Sequence, residues 1–401
     1  MDQRVVLWTR GTGASEYASG LRRGVRAAGF TLSALTDSAD PDDVPPGRAW
    51  RWMAAASPWP VQANPIPGGM LARDVFRRAQ VHFDAYGRYL RLRTPSPPAL
   101  MHWSYPLPLH LAGVPNLYSV LDLIPLLQPD LTPIRLQRSR RMLARLRHEA
   151  THLVTISETS RREIISTLGW PADRVTNTYL PVDVAPTLAK AADILEALGL
   201  APGDYFLHVG TVERRKNIAR MVEAYRLSGS CRALVLAGPD GWQAAEELSA
   251  AGDLLVPAGT ASRAAQGRPR IIRVDWLARE AILGLIREAA AVLAPSLAEG
   301  FGLPTVEAMA LGVPALTTNV GAPAEIAAGA ALLADPYDVR ALAAAIAALD
   351  GDAGLRGRLV AAGRLRAQMF SPGAYADRLC ALYGAVLAGW PATKRGDTGA
   401  G

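Results

Sequence analysis

The chain has 401 residues, half of them apolar and a fifth charged, with a formal net charge of +7 carried mostly by arginine. That length exceeds one ordinary core and suits two domains, and that composition excludes a disordered chain. No apolar run reaches the roughly 18 residues of a membrane-spanning helix, and Cys231 and Cys380 form no metal spacing, so two lone thiols fit a reducing cytoplasm.

Val5–Trp8 reads as a first strand, with no basic n-region or cleavage site ahead of it, which argues against secretion. The turn Thr9–Gly13 leads into a helix predicted from about Ser15 to Ala28. Strand, glycine loop and helix place Gly13 at a ligand-facing crevice, or in a plain tight turn. Seven prolines between Pro41 and Pro67 predict irregular structure there. Asp40 and Asp42, an Asp-x-Asp spacing, fall in that region and read as a turn rather than a metal site. Trp50, Trp52 and Trp59 either cover a core, the favoured expectation, or face the interface of a membrane.

A helix from about Leu71 to Leu92 should precede a strand at Leu100–Trp103, whose end carries His102. The next strand, Leu117–Leu121, ends at Asp122. Arg135, Arg138, Arg140, Arg141, Arg145 and Arg147 then alternate with Leu136, Leu143, Leu146 and Ala150 near helical spacing, which predicts a basic amphipathic helix. Its basic face is either solvated or drawn to anionic lipid heads. Charge alone would admit nucleic acid, but no nucleic-acid motif accompanies it.

Pro181–Ala201 reads as a linker with a short helix. Alternation then becomes regular. Strands are predicted at Tyr205–Val209, Ala233–Ala237, Ile271–Val274, Ala291–Ala294 and Ala315–Thr318. Helices are predicted from about Ile218, over Ala278–Ala289 and over 304–311. That order argues for a doubly wound parallel sheet. A last helix is predicted over Tyr375–Trp390. The polar, glycine-rich tail 391–401 is expected to be disordered.

The most specific stretch is Glu299-Gly-Phe-Gly-Leu-Pro-Thr-Val-Glu307, closed by Gly312. A buried strand, a glycine loop and a helix N-terminus together bind phosphate through free N–H groups and the helix dipole. Pro304 suits the first helical position and Gly312 the left-handed exit. Glu307 lies in the first turn and Glu299 in the loop ahead of it, so one can reach a ribose hydroxyl while the other faces whatever a diphosphate carries; a lone glutamate at a helix start is otherwise a dipole partner. Gly300, Phe301 and Gly302 would bring backbone N–H groups close. Arg215 and Lys216, beside Gly210 and Asn217, follow a strand at the carboxyl edge where open sheets bind ligands. Arginine contacts phosphate in bidentate fashion and lysine acts as a point charge. These fixed cations can neutralise bound phosphate in place of a metal, so no metal or other cofactor is expected. The six histidines show no ligand spacing.

These residues resemble the Glu-x7-Glu block of the retaining glycosyltransferases of family 4, which have the GT-B fold. Gly210-Thr-Val-Glu213-Arg-Arg215-Lys216-Asn217 is similar to that family's phosphate loop. Thr155-Ile-Ser157-Glu-Thr-Ser160-Arg-Arg and Gly329-Ala-Ala-Leu-Leu-Ala-Asp335-Pro336-Tyr-Asp338 match two further blocks in the right order. The similarity runs from about Ala99 to about Leu387 and is weakest between about Asp40 and Ala72. One departure stands out. The family usually has a His-Asp pair where this chain has Leu121-Asp122, so the histidine that would contact the donor sugar is missing. His102 either substitutes for it or is a structural histidine of its strand.

The resemblance implies an α/β chain of two Rossmann-like doubly wound domains facing a central cleft. The expected boundaries are 1–182, on the acceptor side, and 183–374, on the nucleotide-sugar side, with 375–390 returning to the first domain. It implies a retaining, metal-independent hexosyltransferase with Glu299, Arg215, Lys216 and Asp122 in catalysis. Gly13, Gly210, Gly300, Phe301, Gly302, Leu303, Glu307 and His102 are then expected to bind the donor. GDP-mannose is the first choice of donor and UDP-glucose the second. The acceptor is expected to be lipid-linked or a growing saccharide in surface-polysaccharide assembly. The enzyme would be cytoplasmic, at the inner face of the membrane. A nucleotide-sugar epimerase of the same fold is one alternative. The other, motivated by Leu121, is a non-catalytic sugar-nucleotide-binding subunit.

Overall fold

The computed structural model describes residues 1–2, 13–37, 53, 57, 59–184, 191–256 and 268–391. The strand expected at Val5–Trp8, the turn up to Gly13, Asp40, Asp42, Trp50, Trp52 and the tail beyond Pro391 lie outside them. The chain divides into two compact units. One comprises Met1–Leu126, Arg135–Pro181 and Pro372–Gly401; the other comprises Leu127–Ile134 and Val182–Ser371.

The first unit holds a four-stranded parallel sheet in the order Val175–Asn177, His152–Thr155, Asn116–Ser119, Met101–Trp103. Its register pairs Trp103 with Tyr118 and Tyr118 with Leu153. Two three-stranded sheets accompany it among the described residues. Helix Gly13–Ala27 packs on the last helix, Pro372–Ala388, where Gly24 leaves no room for a Cβ against the Tyr375 ring.

Two expectations are corrected here. The helix predicted over Leu71–Leu92 is only Val75–Tyr86. Gly87, at φ 62°, ends it in the left-handed conformation, and Leu90–Arg93 pairs as a strand with Leu109–Leu111. The alternation of Leu90 and Leu92, buried, with Arg91 and Arg93, exposed, is the period-two signal that a helix over this stretch ignores. Trp59 covers no core, being 74% exposed. The basic amphipathic helix does form, as Leu136–Glu149, burying Met142, Leu143 and Leu146.

The second unit is built on seven parallel strands. Their order is Leu255–Val256, Ile271–Val274, Ala233–Ala237, Tyr205–Val209, Ala291–Ala294, Ala315–Thr318, Leu332–Ala334. Side chains alternate between faces, and both faces are covered. Phe206, Leu236, Leu293 and Leu316 pack with helices Ile218–Ser228 and Val339–Gly351. Leu207, Val235, Ile272 and Val292 pack with helices Arg279–Glu288 and Leu303–Leu311. This two-sided burial explains why the strands read as apolar runs rather than as alternation. From Tyr205–Val209 the chain works outward to one edge, then returns to Ala291–Ala294 and proceeds to the other. The switch point of the topology lies between those two strands, and open parallel sheets bind ligands beyond the carboxyl ends of strands at such a point.

Candidate active site

The loops leaving the two switch-point strands carry the cluster. Gly210, at φ 149°, follows Tyr205–Val209. A Cβ there would crowd the Lys216 side chain, so glycine both permits the backbone and leaves room for the lysine. A single turn, Arg214–Lys216, then presents Arg215 and Lys216. Asn217, left-handed at φ 62°, donates from Nδ2 to the carbonyls of Pro295 (3.0 Å) and Pro336 (2.7 Å). The Leu297 amide donates to the Arg215 carbonyl at 2.8 Å, so the two loops are tied backbone to backbone.

Glu299 lies between the two cations. Its carboxylate accepts from Arg215 Nη1 at 2.9 Å, from Lys216 Nζ and from Ser296 Oγ at 3.1 Å. Arg215 also holds Glu213 at 2.6 Å and donates to the Ala298 carbonyl at 3.0 Å. Burial alone would raise the Glu299 carboxyl, but the Lys216 ammonium and the Arg215 guanidinium overcome it and lower it to about 2. The site is therefore a fixed anion held by two fixed cations, all largely shielded from water.

Beyond Glu299 the loop runs Gly300, Phe301, Gly302 into helix Leu303–Leu311. Phe301 is buried edge-on against Phe370, with ring centroids 5.4 Å apart, so its side chain anchors the loop. Gly302 occupies the N-cap in the left-handed region, φ 96°, where a side chain would strain the turn, and no side chain caps the helix. Pro304 has no N–H, and the amides of Thr305 and Val306 donate to the Gly302 carbonyl at 3.1 and 3.4 Å, so it is the positive end of the helix dipole that faces the loop. Pro304 falls in the first turn and Gly312, φ 76°, ends the helix as expected. Glu307 sits just past the first turn rather than in it. It is 2% exposed and accepts from Arg279 Nη1 at 2.6 Å.

Two participants carried no motif signal. Arg279 is the first residue of helix Arg279–Glu288, with no side-chain cap ahead of it. A cation there opposes the helix dipole by about 0.3–1 kcal/mol. Its position becomes intelligible through Glu307 and a second bond, from Nη2 to the Asp183 carbonyl at 3.3 Å. That local conflict was the available clue. His208 is fully buried in the strand, donates from Nδ1 to the Leu293 carbonyl at 2.8 Å, and leaves Nε2 without a partner among the described residues. Burial first, and Lys216 second, lower it to about 4, so it is neutral at physiological pH.

The other named residues belong to the first unit. His102 is buried and engaged at both ring nitrogens, by Tyr383 Oη at 2.6 Å and Ser119 Oγ at 2.9 Å, with Tyr17 Oη 2.7 Å from the same serine. This is the structural alternative. The ring joins two strands to the first and last helices, and no ring nitrogen is left for a sugar. Asp122 Oδ1 accepts from the Ile124 amide at 3.0 Å, closing its own turn. Gly13 starts its helix, exposed and with open space where a Cβ would be. Among the described residues no group of His, Cys, Asp or Glu has the arrangement of a metal site.

Residues 195–366 match the family of glycosyl transferases group 1. The chain is 35% identical over 230 residues to O-antigen chain mannosyltransferase B of Escherichia coli, covering 55% of this chain and 56% of that protein. It is 26% identical over 202 residues to the serotype-specific mannosyltransferase WbdA of Escherichia coli, covering 48% of this chain and 23% of that protein. The chain thus spans about half the length of the first relative and under a quarter of the second. Among solved structures, sucrose-phosphate synthase from Thermosynechococcus elongatus superposes with a TM-score of 0.65 at 20% identity, over 95% of each chain. The Anabaena protein HepE in complex with UDP-glucose gives 0.59 at 16% identity, over 88% of this chain and 98% of that one. The fold is that of the GT-B glycosyltransferases, and residues 195–366 are similar to the glycosyl transferases group 1 family.

Proposed function

We propose that the chain is a retaining, metal-independent glycosyltransferase that moves a hexose from a nucleotide sugar to a lipid-linked or saccharide acceptor in surface-polysaccharide assembly. The observation that carries this is the Glu299 carboxylate clamped by Arg215 and Lys216 at the switch point, beside the helix starting at Leu303. A diphosphate entering there brings its own negative charge. Arg215 and Lys216 turn from Glu299 to the phosphates, and Glu299, released from them, accepts from hydroxyls of the sugar. Glu307, steadied by Arg279, accepts from the ribose.

In the reaction the bond from the anomeric carbon to the diphosphate oxygen breaks. The two cations and the helix N-terminus take up the developing charge. The departing phosphate oxygen accepts the proton of the acceptor hydroxyl, whose oxygen bonds to the anomeric carbon from the same face. Asp122 belongs to this account as a candidate on the acceptor side, and Gly13 as a candidate donor contact. Similarity to proteins named as O-antigen mannosyltransferases favours GDP-mannose over UDP-glucose. We place the enzyme at the cytoplasmic face of the membrane, on the basic helix Leu136–Glu149; no described helix is long and apolar enough to cross it.

A thermal-shift series with GDP-, UDP- and dTDP-sugars tests the donor assignment, since a bound ligand stabilises in proportion to the logarithm of its saturation. GDP-mannose should give the largest shift, and the shift should vanish in Lys216→Ala. Absence of a shift with every nucleotide sugar would refute the donor site.

A further inference from the structure

The first unit contains a cavity of ≈ 440 Å³, within the size range of small-molecule sites. One wall is the helix Leu136–Glu149. There Arg140, Ala144 and Arg147 are all exposed, and their spacing of four and then three places them on one face. About 10 Å of helix rise separates the two arginines, and only the methyl of Ala144 stands between them. The opposite wall is the end of helix Glu158–Leu168 together with Trp170; Leu143 and Leu168 supply apolar surface.

Two observations define the chemistry of an occupant. No acidic side chain lines the cavity. Arg138 and Arg145 of the same helix are paired with Asp84 and Glu149, but Arg140 and Arg147 have no acidic partner among the described residues. Two uncompensated cations and an apolar floor complement an amphiphile with an anionic oxygen-bearing head and a hydrocarbon chain.

We propose that this cavity seats one anionic phospholipid of the membrane surface. Arg140 and Arg147 hold its phosphate, and its first methylenes lie along Leu143 and Leu168. The inference rests on the membrane placement proposed above and adds a defined seat to it. A solvated basic face attracts any anionic surface and is indifferent to which arginine is removed. A cavity is not: it requires Arg140 and Arg147 rather than Arg135 and Arg141, and it requires the space above Ala144.

Co-sedimentation with phosphatidylcholine vesicles, with and without phosphatidylglycerol, tests this on the full chain. Wild type should prefer the anionic vesicles. Arg140→Gln and Arg147→Gln should each weaken binding about fivefold or more, the worth of a basic residue at a lipid surface. Arg141→Gln, with the same charge change outside the cavity, should weaken it less. Ala144→Leu, at an exposed helix position that tolerates leucine, should weaken binding about tenfold with no change in charge, by excluding a methylene or two. Binding by Ala144→Leu equal to wild type, or equal losses for Arg140→Gln and Arg141→Gln, would overturn the seat and leave a general membrane attraction standing. No preference of wild type for anionic vesicles would overturn the membrane placement itself. Displacement from vesicles by excess inorganic phosphate at constant ionic strength would show a free-anion site and overturn the lipid assignment.

Discussion

Arg279 Nη1 lies 2.6 Å from the buried carboxylate of Glu307, the group proposed above to bind the ribose. The arginine costs something at the head of its helix, and the carboxylate would cost more if buried alone. Each therefore makes the other's position tolerable. Removing one partner of a buried pair commonly destabilises by about 3–5 kcal/mol. Arg279→Met should lower the melting temperature and raise the KM for the nucleotide sugar, and Arg279→Lys should restore part of each. A KM unchanged in a folded Arg279→Met variant would show that Glu307 needs no such support.

The second prediction concerns the cation pair. Lys216→Ala should lower turnover by about 2–4 kcal/mol of transition-state stabilisation, a hundredfold or more. Glu299 is held by Arg215 as well, so the fold should survive. Steady-state rates of the folded variant decide it; turnover within a few-fold of wild type would remove Lys216 from the chemistry.

Much of the second unit was legible because its physics is local. Fully buried strands such as Ala233–Ala237 are short apolar runs, and the glycine loop, Pro304 and Gly312 mark a helix start and stop by backbone conformation alone. The clamp on Glu299 was only half legible. Motifs named the carboxylate and both cations, but their contact joins residues 83 positions apart, which spacing cannot show. Arg279 and His208 act through neighbours from other elements and left no pattern in the sequence. In the first unit, Gly87 and the Leu90–Arg93 alternation were overridden by an apolar periodicity that ran on too far. His102 resembled a ligand until Tyr383, Ser119 and Tyr17 were seen around it.

The third prediction concerns acid. Burial first lowers His102 to about 3, and His208 and His152 to about 4. The unfolded chain therefore binds protons that the folded one refuses. Their stabilisation is full above the ordinary histidine value of 6.5 and is lost as pH falls from there toward 4 and, for His102, 3. Glu299 acts lower. Its contribution is present above its ordinary 4.5 and is lost as pH falls toward about 2. Urea unfolding at stepped pH should show stability already declining between about pH 6.5 and 5, before carboxylates titrate. A flat profile across that interval would mean that these rings are protonated in the folded state.

The fourth concerns Leu121, where the resembling family has histidine. If Leu121 faces the donor, its pocket is locally apolar and favours a sugar with a small or deoxy group there. The preference should be modest, since a methylene-sized change in an apolar pocket is worth about 1–3 kcal/mol. Leu121→His should shift preference toward donors bearing a hydroxyl at that position, measured as kcat/KM ratios across a donor panel. An unchanged profile in an active variant would place this side chain away from the donor. Activity gained only in Leu121→His would favour the binding-subunit alternative.

The most direct test of the central claim is transfer itself. GDP-mannose and an alkyl mannoside are incubated with the enzyme in excess EDTA, and the product is identified by mass and by the anomeric coupling in its NMR spectrum. The account predicts GDP release that depends on the acceptor, and a product one mannose longer with the anomeric configuration of the donor retained. Inverted product, or activity abolished by EDTA and restored by manganese, would contradict the mechanism derived from Arg215, Lys216 and Glu299.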